Sequence, residues 1–292
     1  MIDEGCESDH SASSLDPEGA TGHDAPMEDT YTHGHHASVL RSHTWRTAKN
    51  SAAYLLPHLE PGQHVLDVGC GPGTITLDLA ALVTPGTVTG IDRAAEVVAQ
   101  AAQAAAAAHT DNVAFAVGDV YALDFDDDRF DVVHAHQVLQ HLTDPVAALG
   151  ETRRVLRDGG LLAVRDSDYA AFAWAPDDPR LDRWNELYHH VTARNGAEAD
   201  AGRYLLGWVR RAGFSDVAVS SSTWTFAEPE SRAWWGELWA DRCLHSGLAE
   251  QALAYGLSDR AELETLAAAW REWATHPDAC IAVLHWEVLA RA

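Results

Sequence analysis

Lysine is nearly missing from this chain. Lys and Arg together number 20 against 44 Asp and Glu, Lys49 is the single lysine, and the net charge is −24. A surface this acidic repels phosphate backbones, which argues against nucleic acid as a partner. Long apolar runs are also absent: nothing approaches the ~20 residues that cross a bilayer, so no membrane span is expected. The opening MIDEGCESDH is acidic and carries no apolar core, unlike a secretory signal. Cysteine is scarce. Cys6, Cys70, Cys243 and Cys280 show no CxxC spacing, which excludes a zinc knuckle or a disulfide framework and leaves free thiols in a reducing, cytoplasmic setting. Low lysine, high Asp and Ala-rich helices fit a GC-rich genome and a salt-loving host equally well.

Lysine and arginine are wholly missing from positions 1–30, which hold nine acids and no periodic apolar positions; this stretch reads as a disordered acidic tail. Order is expected from Tyr31. Val39, Leu40, Ala48, Ala52, Leu55 and Leu56 recur at helical spacing, and Pro57 with the following EPG ends that helix. From Gln63 strand and helix alternate: HVLDVG, TVTGID, NVAFAVGD, FDVVHAH and GLLAVRD read as strands, with TITLDLAALV, AAEVVAQAAQAAAAA and DPVAALGETRRVLR as helices between them. Nearly continuous apolar strands in βα alternation predict a parallel sheet covered on both faces.

After Asp168 the rhythm changes. A loop with two prolines leads to a helix, AGRYLLGWVRRAGF resumes as a helix stopped at Gly213, and SDVAVSSSTW is a strand. A helical block around Trp234, Trp235 and Trp239 and the helix DRAELETLAAAWREWA precede a last strand, ACIAVLHWEVLA. The expected layout is a tail over 1–30, a cofactor-binding core with an N-terminal helix over 31–168, helical cap insertions over 169–200 and 227–278, and the remaining core sheet over 201–226 and 279–292. Ten of the eleven tryptophans lie after residue 170, so that half seals a cap or lines something bulky.

DVGCGPGT, at the end of the first strand, opens a helix. Gly69, Gly71 and Gly73 allow the tight turn and let a ligand lie against bare backbone. In open parallel sheets, ligands bind at the carboxyl ends of strands, at the switch point. Asp92 ends the second strand, 19 residues beyond Gly73, where an acid takes the two hydroxyls of a ribose. An adenosine-containing ligand follows. The dinucleotide fingerprint would place Gly or Ala at position 74, but Thr74 stands there. Asp67, just before the loop, disfavours a pyrophosphate and favours a cationic ligand.

VLDVGCGPGT resembles motif I of the class I S-adenosylmethionine-dependent methyltransferases, in particular the small-molecule group that includes the ubiquinone/menaquinone C-methyltransferases. GID with Asp92 resembles the ribose acid of that family, VGDVYALDFDDDRFDVVHAHQVLQHLTDP its next motif, and VLRDGGLLAVRD its following helix and strand. The likeness spans roughly 37–168; residues 169–278 match by general layout alone. It implies a Rossmann-like, doubly wound, mostly parallel seven-stranded sheet with an antiparallel last strand, plus a helical cap. It also implies S-adenosyl-L-methionine as methyl donor and a small-molecule acceptor. Asp67 would then lie near the donor's amino group and Asp119 and Val120 beside its adenine; Tyr31, Gly69, Gly71, Gly73, Thr74, Asp92, Arg93 and His136 complete the implied donor site.

Methyl transfer by direct displacement asks mainly for alignment, and needs a general base only where the acceptor must lose a proton. His141, Asp166 and Asp168 are the catalytic candidates, each with a bland alternative as a buried histidine, a helix cap or a solvated acid. Gln137 follows the fourth strand and could face donor or acceptor. Tyr31, His33, His35 and His36 precede the first helix. Tyr31 would close the site, whereas HxHH lacks visible supporting residues for a metal, so none is expected. Trp174, Trp184, Tyr188, Trp234, Trp235 and Trp239 form either the core of the cap or an acceptor box, and an apolar or aromatic acceptor is the mild inference. Two other classes remain: a quinone-type C-methyltransferase within the same family, and a non-catalytic module that keeps the donor pocket.

Overall fold

The computed structural model describes residues 29–34 and 42–292. Its centre is β1 (His64–Val68), flanked by β2 (Thr87–Asp92) and β4 (Phe130–His136), both parallel to it. β3 (Val113–Val117) extends the sheet beyond β2, and β5 (Leu156–Ser167) extends it beyond β4, again in parallel. The final strand β8 (Cys280–Arg291) is antiparallel to β5 and pairs along its other edge with β7 (Ser215–Phe226). The short β6 (Ala173–Ala175) pairs with the start of β8. The sheet is therefore mostly parallel with an antiparallel last strand, as the resemblance implied, with β6 as an eighth strand. A strand of three residues carries too little pattern to be seen in sequence.

Neighbouring positions on the central strands point to opposite faces, and both faces are apolar. Val65, Val88, Val132 and Ala163 pack with Leu55, Ile75, Leu79 and Val83 on one side. Leu66, Val68, Val133 and Val164 pack with Leu149, Leu205 and Val209 on the other. The first face is covered by α1 (Ala48–Ser51) and α2 (Thr74–Val83); the second by α4 (Pro145–Val155) and α6 (Ala201–Arg211). α3 (Ala95–Ala107) joins β2 to β3 and buries Val97, Val98 and Ala101. α4 starts where its sequence says it should: Asp144 accepts from the Ala147 amide at 2.9 Å, and Pro145 occupies the first turn.

The entry to the sheet differs from the single helix expected there. A helical turn at 42–45 stops, and Thr47 in extended conformation caps a fresh helix, α1, through a reciprocal Thr47–Asn50 capping box. A 3-10 turn at Leu56–His58, with Pro57 inside it, then leads to β1. Val39 and Leu40, and most of the tail, lie outside the described residues.

The cap is helical. α5 (Pro179–Arg194), α7 (Pro229–His245), α8 (Gly247–Ala254) and α9 (Arg260–Thr275) enclose one core in which Trp184 meets Trp239 and Trp270 edge to face, with ring centroids 4.5 and 4.9 Å apart. Such pairs add about 0.5–1.5 kcal/mol beyond their buried area. α8 had no separate counterpart in the sequence reading, because eight residues show barely two turns of periodicity. No helix of the described residues is long and apolar enough to cross a membrane.

Gly236 on α7 sets how closely the cap helices pack. A Cβ there would sit 2.6 Å from both the Trp270 carbonyl oxygen and Ala274 Cβ on α9. Gly236→Ala is therefore expected to destabilise the protein by about 1–3 kcal/mol despite its gain in helix propensity. Urea unfolding tests this; an unchanged or raised midpoint would show that α7 and α9 separate without cost.

Candidate active site

The strand order reverses between β1 and β4, and a cavity of 440 Å³ opens at their carboxyl ends, beneath the cap. That volume lies within the roughly 300–1,000 Å³ of small-molecule sites. One wall is the loop after β1. Gly69 (φ +66°) and Gly71 (φ +55°) adopt left-handed conformations, and a Cβ on Gly69 would sit 2.4 Å from Val138 Cγ2. Gly73 has a different task and does not line the cavity: its missing Cβ makes room for Phe115 and Ala101 behind the loop.

Asp67, Asp92, Arg93, Thr74, Val120 and His136 do line it, together with Tyr31. The Asp92 carboxylate accepts from the amides of Gly71 (3.1 Å) and Ala94 (3.0 Å), which pins loop to strand. A carboxylate has about four lone-pair positions, so capacity remains for hydroxyls. Asp67 is buried in β1 and accepts from Thr76 at 2.6 Å, and its other oxygen lies 2.7 Å from His134 Nδ1. Val120 with Ile91, Val97 and Leu142 makes an apolar slot next to Asp92. Asp119 is exposed, turned away to accept from the Tyr121 amide. It does not line the cavity, because the turn after β3 directs Gly118 and Val120 inward instead.

Two of the three catalytic candidates are likewise placed elsewhere. Asp168 pairs with Arg203 and accepts from Trp286 Nε1, so it ties β5 to α6 and β8. Asp166 is fully buried and accepts from the Gln140 amide. Burial, opposed by that hydrogen bond and by neighbouring arginines, lifts its carboxyl to about 8, so it carries a proton at neutral pH. His141 does face the cavity. Ser167 Oγ donates to Gln140 Oε1, which orients the Gln140 amide to donate to His141 Nε2 at 3.0 Å and leaves the imidazole proton on Nδ1. Burial first, then Arg46 and Arg242, push His141 down to about 3.

A strap formed by residues 29–34 crosses the cavity mouth. Asp29 accepts from the Thr143 amide (2.9 Å) and hydroxyl (2.8 Å), and the Tyr31 ring meets His141 edge to face at 4.7 Å. His33 is buried against Tyr188, whose hydroxyl lies 3.1 Å from its Nε2. The His33 carbonyl accepts from the Gly247 amide, where Gly34 and Gly247 lie so close that a Cβ on either would come within 3.0–3.2 Å of the other's amide nitrogen. His33 thus packs into the cap and also lines the cavity; His35 and His36 lie outside the described residues.

The sequence reading missed two arginines. Arg46 donates to Gln137 Oε1, and Gln137 passes the chain on to His285 Nε2 at 2.8 Å. Gln137 holds this position with a left-handed backbone (φ +55°), a strain of the kind that gathers at functional sites. Arg242 enters from the opposite, cap side. Trp235, Trp239 and Arg242 are spaced i, i+4, i+7 on α7, so one helical stripe presents two indoles and a cation to the cavity. That spacing was the available signal: a charge on an otherwise apolar face. Of the aromatic residues read as cap core or acceptor box, Trp184 and Tyr188 are core, Trp174 and Trp234 pack against it, and Trp235 and Trp239 belong to both core and wall.

The buried carboxyl of Asp166 carries a testable cost. Its value in the fold lies above the ~3.9 of an unfolded chain, so the fold binds more protons between these values and loses stability as pH rises from about 4 to about 8. Asp166→Asn, isosteric with the protonated acid, should match wild type near pH 4. It should become progressively more stable than wild type toward pH 8, by up to about 1.4 kcal/mol per pH unit. Urea midpoints of both proteins across this range decide it; a constant difference would mean the carboxyl is not neutral.

Residues 59–213 match the family model described as a methyltransferase domain. An uncharacterized methyltransferase of Schizosaccharomyces pombe is 33% identical over 86% of this chain and 92% of its own length. The ubiquinone/menaquinone biosynthesis C-methyltransferase of Roseobacter denitrificans is 31% identical over 64% of this chain and 74% of its own length. Among solved structures, the YcgJ protein of Bacillus subtilis shares the fold with a TM-score of 0.54 at 19% identity, over 82% of this chain and 96% of that one. With its doubly wound sheet and its glycine loop at the switch point, the chain belongs to the methyltransferase-domain family, among the class I S-adenosylmethionine-dependent methyltransferases.

Proposed function

We propose that the two ends of the cavity divide the reaction between them, the methyl donor lying along the glycine loop and a small acceptor lying under the cap. The observation that carries this reading is the continuity of the cavity from Gly69, Gly71 and Asp92 to Trp235, Trp239, Tyr169 and Phe172. The donor end fits S-adenosyl-L-methionine. The bare backbone at Gly69 and Gly71 leaves room for its methionyl part, Asp92 is placed for the ribose hydroxyls, and the slot around Val120 suits adenine. Arg46, on the loop side and oriented by Gln137, takes the methionyl carboxylate.

When bound, the donor supplies an electrophilic methyl group on a sulfonium that is already activated for displacement. The chain's part is then alignment and exclusion of water. Tyr31 and the strap cover the mouth, and the aromatic wall fixes the acceptor; alignment of this kind contributes roughly 7–11 kcal/mol when the reacting atoms are held at attack distance. Of the earlier catalytic candidates only His141 touches the cavity, and an imidazole pushed so low is a weak base. It serves as a hydrogen-bond donor through Nδ1, and the acceptor brings its own available electron pair. The aromatic wall supports an apolar or aromatic acceptor.

Asp92→Asn should weaken binding of S-adenosylhomocysteine by roughly 10–100-fold, since charge-assisted bonds contribute about 1.5–3 kcal/mol each, and should also lower the melting temperature, because one of the two amides that Asp92 accepts from then faces an NH2 group. Calorimetric titration of both proteins is the measurement. Equal affinities would remove the ribose role from Asp92.

A further inference from the structure

The acceptor end contains a charge that the rest of the protein leaves unanswered. Arg242 is buried on α7, and none of the described acids forms an ion pair with it. Its neighbour Asp241 lies toward Arg271 instead, at 3.9 Å. The partners of the Arg242 side chain are neutral: Nη2 donates to Ser42 Oγ at 2.6 Å, and the guanidinium lies 4.9 Å from the centre of the Trp239 ring. Its Nε is buried without a hydrogen-bond partner. Other buried charges of the described residues are compensated within the protein: Arg165 reaches Glu287 at 3.3 Å and two serines flank that pair, Arg232 donates to the carbonyls of Ala227, Pro277 and Ala279, and Asp166 takes up a proton. In a chain of net charge −24, with 44 acids available, an unpaired guanidinium beside a cavity is a costly arrangement.

The surroundings make the cost larger. Arg46 lines the same cavity, and the Arg242 guanidinium adds to burial in disfavouring the charge of Arg46. Tyr169, Tyr31, Tyr188 and Cys243 are the titratable groups that act on Arg242, and burial holds all four neutral. The donor has one carboxylate, which Arg46 takes on the loop side. Arg242, on the cap side between two indoles and the Tyr169–Phe172 pair, faces the acceptor.

We propose that Arg242 is the anchor for a single negative charge on the methyl acceptor, which is a small aromatic or apolar carboxylate. The charge count points to a monoanion: one guanidinium with neutral hydroxyl neighbours balances one charge, whereas a phosphate dianion would be left half-neutralised in an apolar enclosure. Trp235, Trp239, Tyr169 and Phe172 supply the flat apolar walls for the body of such an acid, and the His141 Nδ1 proton is placed to share its oxygen atoms. This deepens the methyl-transfer reading and rests on it.

The test uses the full chain saturated with S-adenosylhomocysteine. It is titrated with benzoate, phenylacetate and indole-3-acetate and with the three corresponding amides, followed by calorimetry and by tryptophan fluorescence, for which Trp239 is a built-in reporter. At least one acid should saturate and exceed its amide by about tenfold or more in affinity. Arg242→Gln should abolish that preference, Arg242→Lys should retain part of it, and S-adenosylhomocysteine affinity should stay within about twofold in both. Equal binding of acid and amide, or saturation by none of the three acids, would overturn the proposal even if the variants failed to fold. A loss of roughly tenfold or more in S-adenosylhomocysteine affinity in Arg242→Gln would overturn it differently, by assigning the guanidinium to the donor. Failure of the wild-type chain to bind S-adenosylhomocysteine would count against the donor site alone, because the acid–amide comparison can be made without it.

Discussion

A carboxylate buried inside the central strand organises everything around it. Asp67 sits in β1 with neighbours on both sides, and it accepts from Thr76 on α2 while contacting His134 on β4. Unpaired, such a group would be expelled or neutralised. Paired, it locks the strand that ends in the glycine loop to the helix that begins after it and to the strand across the switch point. The loop's left-handed glycines then have a fixed base to turn from, and Asp92 clamps their far side through the Gly71 amide. The glycine-loop end of the cavity is thus shaped by two acids from adjacent strands.

The cap solves a different problem. Its helices carry most of the tryptophans, and large indoles stacked edge to face bury much area per residue at little loss of rotamer freedom. A rigid aromatic block gives the cavity a wall that does not depend on ligand to hold its form. The same α7 that contributes Trp235 and Trp239 to this block delivers Arg242, so the wall and the charge in it have one origin.

Much of the core was legible because its strands are short apolar runs bounded by glycines and acids. FDVVHAH and TITLDLAALV, for instance, coincide residue for residue with β4 and α2. The first helix was not legible, since apolar spacing across residues 39–56 is blind to the restart at Thr47. Site residues divided along the same line. Backbone-determined positions such as Gly69, Gly71 and Asp92 are tied to a motif and sit at the cavity. Asp119 and Gly73 belong to the same motifs, yet the local turn and the packing of Phe115 direct them elsewhere. Arg46 and Arg242 come from remote segments that meet only in three dimensions, and no spacing within either segment reports the meeting.

The strap over the cavity is fastened at both ends to different parts of the molecule, to Thr143 on the core side and to Gly247 on the cap side. Its order and the occupancy of the cavity are therefore linked quantities. A molecule held beneath Tyr31 stabilises the closed strap, and by reciprocity a well-ordered strap raises that molecule's affinity by the same factor.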